Sequence, residues 1–165
     1  MSEPLTLTPI ALNQRGTLSN LFQLYAYDFS EVVSIAVGHD GRFAVDCEHW
    51  LGDPGRSAFL IHVGDELAGF ALVQRGSQLR EDPDVMDVGE FFVLRYLRRR
   101  GLGKRAARAV FERFPGRWEV RVRVANQHAL AFWSDIVAAV AQDRFSVLDW
   151  RNHDVDWRVF SFDAK

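Results

Sequence analysis

Arg98, Arg99, Arg100, Gly101, Gly103 and Lys104 are the residues of this chain whose types and spacing most directly spell out chemistry. They sit between an apolar run, Val85 to Leu94, and a segment from Leu102 to Phe114 with helical periodicity. The first turn of a helix carries backbone N–H groups with no intrahelical acceptor, and the helix dipole places its positive end there. Gly101 and Gly103 remove side chains where an anion would approach the backbone, and the flanking cations add full charge. The pattern predicts a pyrophosphate-binding turn.

Other chemistries fit less well. A phosphate-binding loop of the Gly-x-x-x-x-Gly-Lys-Ser/Thr type does not occur. Gly101-x-Gly103-x-x-Ala106, with Glu119 beyond it, matches the dinucleotide-binding string. In that fold, however, the strand runs almost directly into the first glycine, whereas here polar and basic residues intervene. His39, His49, His62, His128 and His153 show no metal-site spacing, so no metal is expected. No motif pairs a serine or cysteine nucleophile with a histidine base.

With 165 residues, 48 % apolar and 25 % charged, the chain reads as one globular domain over residues 1–165. No apolar run approaches a membrane span, and Met1-Ser2-Glu3-Pro4 lacks the features of a signal peptide. The lone Cys47 excludes an internal disulfide and fits a reducing, cytoplasmic setting. A net charge of −2 argues against a general nucleic-acid partner, although Arg95, Arg98, Arg99, Arg100, Lys104, Arg105 and Arg108 cluster without an intervening acid.

The elements that must position the turn follow from periodicity. Leu5 to Ala11 reads as an edge strand between Pro4 and Pro9. Leu18 to Val33 reads as a helix capped by Thr17 or Ser19. Ala58 to Val63 and Leu67 to Val73 form a hairpin around Gly64-Asp65, and Val85 to Leu94 is a buried strand. Trp118, Val120, Val122 and Val124 alternate with Glu119, Arg121 and Arg123 in a further strand. Asn126 caps a helix bearing Leu130, Trp133, Ile136, Val137 and Val140, and Phe145 to Leu148 and Val155 to Phe162 close the chain as strands. The expected fold is α+β (mixed α/β), with about seven mostly antiparallel strands and about four helices.

Arg98-x-x-Gly101-x-Gly103, five residues after Val93, resembles the signature of the GNAT superfamily of N-acetyltransferases. Asn126-x-x-Ala129-x-x-Phe132-Trp133, one strand later, is similar to that superfamily's Asn-x-x-Ala-x-x-Phe-Tyr segment, and the hairpin Ala58 to Val73, with Gly69-Phe70-Ala71, sits where the family has its second and third strands. Gly89-Glu90-Phe91-Phe92-Val93 looks like a subgroup of predicted acetyltransferases. The resemblance implies acetyl-CoA as cosubstrate, its pyrophosphate on the amides of Arg99, Arg100, Gly101, Leu102, Gly103 and Lys104. It implies a pantetheine arm paired along Phe91, Phe92 and Val93 like an added strand, with Asn126 reaching it. Asn126 is equally well explained as a helix cap.

Transfer to an amine needs that amine neutral, and a free alkyl amine titrates near 10.4. Glu90 is the best base, since burial beside the cofactor edge would raise its pKa. Its alternative role is an ion pair with Arg121 or Arg123. The family's thiolate-protonating tyrosine is replaced here by Trp133, which donates a hydrogen bond but does not titrate. That leaves the acid role to water or to Tyr25 or Tyr27, and leaves open a non-catalytic CoA-binding sensor. The acceptor is expected to be a small-molecule or peptide amine met by Tyr25, Tyr27 and Asp28. Asp28, Glu31, Glu81, Asp82, Asp84 and Asp87 hint that it is cationic. A homodimer is compatible with all of this.

Overall fold

In the computed structural model, which describes residues 3–165, the chain builds one seven-stranded sheet. Met1 and Ser2, part of the segment read above for a signal peptide, lie outside the described residues. The strands are β1 (Leu5–Pro9), β2 (Arg56–Val63), β3 (Glu66–Arg75), β4 (Met86–Val93), β5 (Gly116–Arg123), β6 (Phe145–Asn152) and β7 (Val155–Ala164). The helices are α1 (Arg15–Phe29), α2 (Leu102–Arg113) and α3 (Gln127–Ala141). The spatial order is β1-β2-β3-β4-β5-β7-β6.

Every neighbouring pair is antiparallel except β4 and β5, which run parallel because α2 carries the chain across between them. That parallel pairing is short: Met86↔Trp118, Asp87↔Glu119 and Val88↔Val120. β4 stays paired with β3 as far as Gly69↔Val93, and β5 stays paired with β7 as far as Arg123↔Trp157. The two central strands therefore part after Val88, opening a wedge in the middle of the sheet. A bulge marks the parting: Leu72 pairs with Glu90 and Val73 with Val88, so Gly89 is the extra residue.

The sheet faces differ. Against one face α2 and α3 bury Ala106, Ala107, Val110, Phe111, Trp133, Ile136 and Val137 on Trp118, Val120, Phe160 and Phe162. This core reaches across the sheet to Phe59 and Ile61. Against the other face α1 and a 3-10 turn at Glu48–Trp50 bury Leu18, Leu21, Phe22 and Trp50 on Leu60, Phe70, Leu72 and Phe92 of β2 to β4.

Strand placement agrees with the periodicity, but two expectations need correction. Among the described residues there are three α-helices rather than about four, with three short 3-10 turns besides. The first helix runs from Arg15 to Phe29, not Leu18 to Val33. A 3-10 turn at Leu12–Gln14 feeds straight into it, so Thr17 and Ser19 lie inside the helix and cap nothing. At its other end the N–H groups of Val32 and Val33 both turn back to the Phe29 carbonyl, and the β-branched pair does not extend the helix. Between there and Glu48 a single bridge, Val37↔Phe43, makes a ladder contact among the described residues.

Candidate active site

The glycine turn forms where β4 ends. Arg99 and Gly101 adopt left-handed backbone angles, φ 61° and 75°, and Gly101 is the residue that opens α2. Its first helical bond runs from the Arg105 N–H to the Gly101 carbonyl, 3.1 Å. Among the described residues no protein acceptor meets the N–H groups of Arg99 to Lys104. Gly103 serves packing as well: a Cβ there would lie 3.2 Å from the Phe132 ring.

The cations around the turn divide into two groups. Arg98 is structural: it donates to Asp28 at 2.6 Å and to the Val93 carbonyl at 2.8 Å. Arg95 holds the same carboxylate at 2.5 Å. Burial alone would raise Asp28, but the two guanidinium hydrogen bonds outweigh it and hold the carboxyl below its usual value. Asp28 thus clamps the turn to α1. Lys104 pairs with Asp135 at 3.2 Å, and Arg105 donates to the Glu3 carbonyl. Arg99, Arg100 and Arg108 make no ion pair among the described residues, and Arg99 and Arg100 are exposed beside the open N–H groups.

Along β4, residues alternate between the two faces of the wedge. Phe91 stacks on Phe132, with centroids 5.9 Å apart, and meets Trp133 edge-on. Trp133 is 7 % exposed and its ring nitrogen has no hydrogen-bond partner among the described residues. Phe92 and Val93 are buried, Phe92 on the α1 side against Phe70 and Tyr25. Asn126 is a cap, its side-chain oxygen accepting the Ala129 N–H at 3.1 Å, which leaves its amide N–H groups free.

Glu90 and Tyr25 meet on the α1 face. The Tyr25 hydroxyl donates to a Glu90 carboxylate oxygen across 65 residues of sequence. Burial is the main influence on both. It raises the Glu90 pKa, an effect that the Tyr25 hydrogen bond and the charges of Arg121 and Arg123 offset in part. It also raises the Tyr25 phenol well above its ordinary value, with the neighbouring carboxylate adding to the shift. The expected alternative, an ion pair from Glu90 to Arg121 or Arg123, does not form. Arg121 instead grips Asp87 bidentately at 2.8 and 2.9 Å, and Gln74 donates to the same fully buried carboxylate at 3.0 Å. Next to it Glu119, also fully buried, accepts from Ser77 at 2.7 Å and lies 3.0 Å from an Arg80 nitrogen.

The structure therefore joins Glu90, Tyr25, Phe91, Phe92 and Val93 to one wedge with the glycine turn at its end. Tyr27 does not join them; it is 68 % exposed, against Phe43. Of the six acids behind the cationic hint, Asp28, Asp82 and Asp87 are committed to arginines, whereas Glu31, Glu81 and Asp84 make no ion pair among the described residues. Periodicity reasoning passed over Trp50, whose ring covers Gly89 so closely that a Cβ would lie 2.0 Å from it. Arg123 gained weight only in three dimensions, although its alternation with Val120 and Val122 already placed a charge on a sheet face. Among the described residues no three His, Cys, Asp or Glu side chains converge on a metal site, and no helix is long and apolar enough to cross a membrane.

Known proteins share this fold. Comparison with curated proteins gives no match. Among solved structures, an acetyltransferase from Thermus thermophilus shares the fold with TM-score 0.73, at 19 % identity over 99 % of each chain. A Bacillus subtilis acetyltransferase in complex with CoA superposes with TM-score 0.58, at 14 % identity over 99 % of each chain. The ribosomal-protein-S18-alanine N-acetyltransferase of Escherichia coli does so with TM-score 0.59, at 13 % identity over 98 % of this chain and 95 % of that one. The model of the acetyltransferase (GNAT) family matches residues 18–135, and this chain, with its split central sheet and glycine turn, belongs to that family.

Proposed function

We propose that this protein transfers an acetyl group from acetyl-CoA directly to a primary amine of a small molecule or peptide. The observation that carries the reading is the parting of β4 from β5 after Val88. It leaves the β4 edge at 89–93 with one strand neighbour, a buried carboxylate on one face and open N–H groups at the end. A split sheet whose free edge leads into an anion-binding turn fits an extended ligand with a pyrophosphate at one end.

Each residue then has a task. The N–H groups of Arg99 to Lys104 hold the pyrophosphate, with the exposed Arg99 and Arg100 side chains adding charge. Phe91, Phe92 and Val93 offer backbone to the pantetheine arm, and the spare N–H groups of Asn126 reach the same arm. When bound, acetyl-CoA supplies an activated acyl thioester. Glu90 removes the proton that the attacking amine must lose, and its raised pKa makes it a better base than an exposed carboxylate. Tyr25 fixes the orientation of that carboxylate and is thereby a positioning residue. Trp133, which cannot give up a proton near neutrality, walls the wedge with Phe91 and Phe132. The lone Cys47 and the net charge of −2 support a cytoplasmic protein without a nucleic-acid partner.

Calorimetric titration with acetyl-CoA tests the cofactor assignment. Replacing Gly101 and Gly103 together by valine puts a β-branched residue at φ 75° and crowds Phe132. Binding should disappear in a variant that still melts cooperatively. Unchanged affinity in the double variant would place the cofactor elsewhere.

A further inference from the structure

Arg123 ends β5 on the same sheet face as Glu90, beyond the point where the central strands part. Its guanidinium lies over the Trp157 ring at 5.2 Å from the centroid and over the Phe29 ring at 5.8 Å. Stacking engages the faces of a guanidinium but none of its five N–H donors, which lie in the plane. Among the described residues no carboxylate and no hydrogen-bond acceptor meets those donors, although the group is half-buried. The contrast with its neighbours is sharp. Arg121, two residues back on the same face, is neutralised by Asp87, and Arg95 and Arg98 each hydrogen-bond the shared carboxylate of Asp28.

A continuous wall connects this cation to the base. Glu90 accepts from Tyr25, Tyr25 stacks on Phe29 with centroids 5.7 Å apart, and Phe29 lies under Arg123. We infer that Arg123 anchors a carboxylate on the acceptor, so that the substrate class is an amino acid or similar amino-carboxylate whose amine is presented to Glu90. The planar fork of a guanidinium matches a carboxylate's two oxygens, and the aromatic rings pre-set its orientation. One uncompensated positive charge balances one carboxylate, whereas a phosphate monoester would stay half unpaired. The inference rests on the acetyl-transfer reading and replaces the cationic acceptor that the acidic segments suggested.

The test offers wild-type protein and acetyl-CoA two acceptor series, the twenty common L-amino acids and their carboxamides, with phosphoethanolamine alongside, and reads free thiol. The best amino acid should show a KM below that of its carboxamide by about 10- to 100-fold, the range of a charge-assisted hydrogen bond. Arg123→Gln should erase that gap by raising the amino acid's KM, and Arg123→Lys should restore part of it. Calorimetric affinity for acetyl-CoA should stay unchanged in both variants. Carboxamides used as well as the acids, a gap that survives Arg123→Gln, a preference for phosphoethanolamine, or acetyl-CoA binding without turnover of either series would each overturn the inference. Failure of wild-type protein to bind acetyl-CoA would instead sink the acetyl-transfer reading beneath it. If the variants do not fold, the wild-type contrast between acid and carboxamide decides alone.

Discussion

The two faces of the split sheet are built to different rules. Behind the wedge, α2 and α3 close an apolar layer in which Phe91 meets Trp133 and Phe111 meets Trp118 edge-to-face, Phe111 tilts against Trp133, and the Trp118 indole nitrogen donates to the Phe114 carbonyl at 2.8 Å. In front, α1 covers β2 to β4 with apolar side chains, but along the parting of β4 and β5 the face carries Asp87, Glu90, Glu119, Arg121 and Arg123. The rear face stores stability by burying aromatic surface. The front face holds fully and partly buried charge, which costs stability unless each group finds a partner, and among the described residues all but Glu90 and Arg123 are ion-paired. The two without one are those assigned here to chemistry.

Substitutions that disturb one face and spare the other sharpen this contrast. The largest effect is expected from Asp87→Asn, which leaves Arg121 nearly buried without its carboxylate. Breaking a buried pair in this way costs about 3–5 kcal/mol, read as a lowered urea midpoint. Replacing both partners by apolar residues of similar volume should recover most of that loss. Gly89→Ala comes next, because a Cβ 2.0 Å from Trp50 must push the ring off the bulge beside Glu90. Overpacking of this kind costs about 1–3 kcal/mol, and thermal melting would report it, whereas an unshifted melt would mean that Trp50 is free to move. Smallest is Asn126→Ala on the rear side, where loss of the α3 cap costs about 1 kcal/mol.

Much of the frame was legible before the fold. Alternation, apolar runs and turn signals set all seven strands, and the order of apolar run, glycine turn and helix placed the turn at the end of β4, because these are local patterns. Asn126 was readable as a cap for the same reason. What escaped was pairing at long range. Asp28 meets Arg98 across 70 residues and Tyr25 meets Glu90 across 65, and neither partner shows in a local pattern. Hence Arg98 read as one of the cations available to phosphate when it is held by Asp28. Likewise an acidic segment looked open to a cationic acceptor when Asp82 and Asp87 belong to arginines. The first helix stops short of Val33 because the segment after Phe29 makes tight turns in place of continued helix.

The proposed acetyl transfer turns on Glu90 as a base in a half-buried site. Burial raises its folded pKa above the unfolded value, so the folded state binds the proton more tightly than the unfolded chain. The carboxylate therefore subtracts from stability once pH rises above the unfolded value, and the subtraction is complete above the raised folded one. Glu90→Gln removes that cost while keeping the acceptor for the Tyr25 hydroxyl. The decisive measurement is the pH profile of kcat for Glu90→Gln beside its melting temperature at neutral pH. A catalytic base predicts a kcat lower by about 10²- to 10⁴-fold, recovering as pH rises towards the pKa of the amine, in a protein that melts no lower than the wild type. Near-full activity at pH 7, or a lowered melting temperature with a loss that high pH does not rescue, would contradict it and make Glu90 a structural residue.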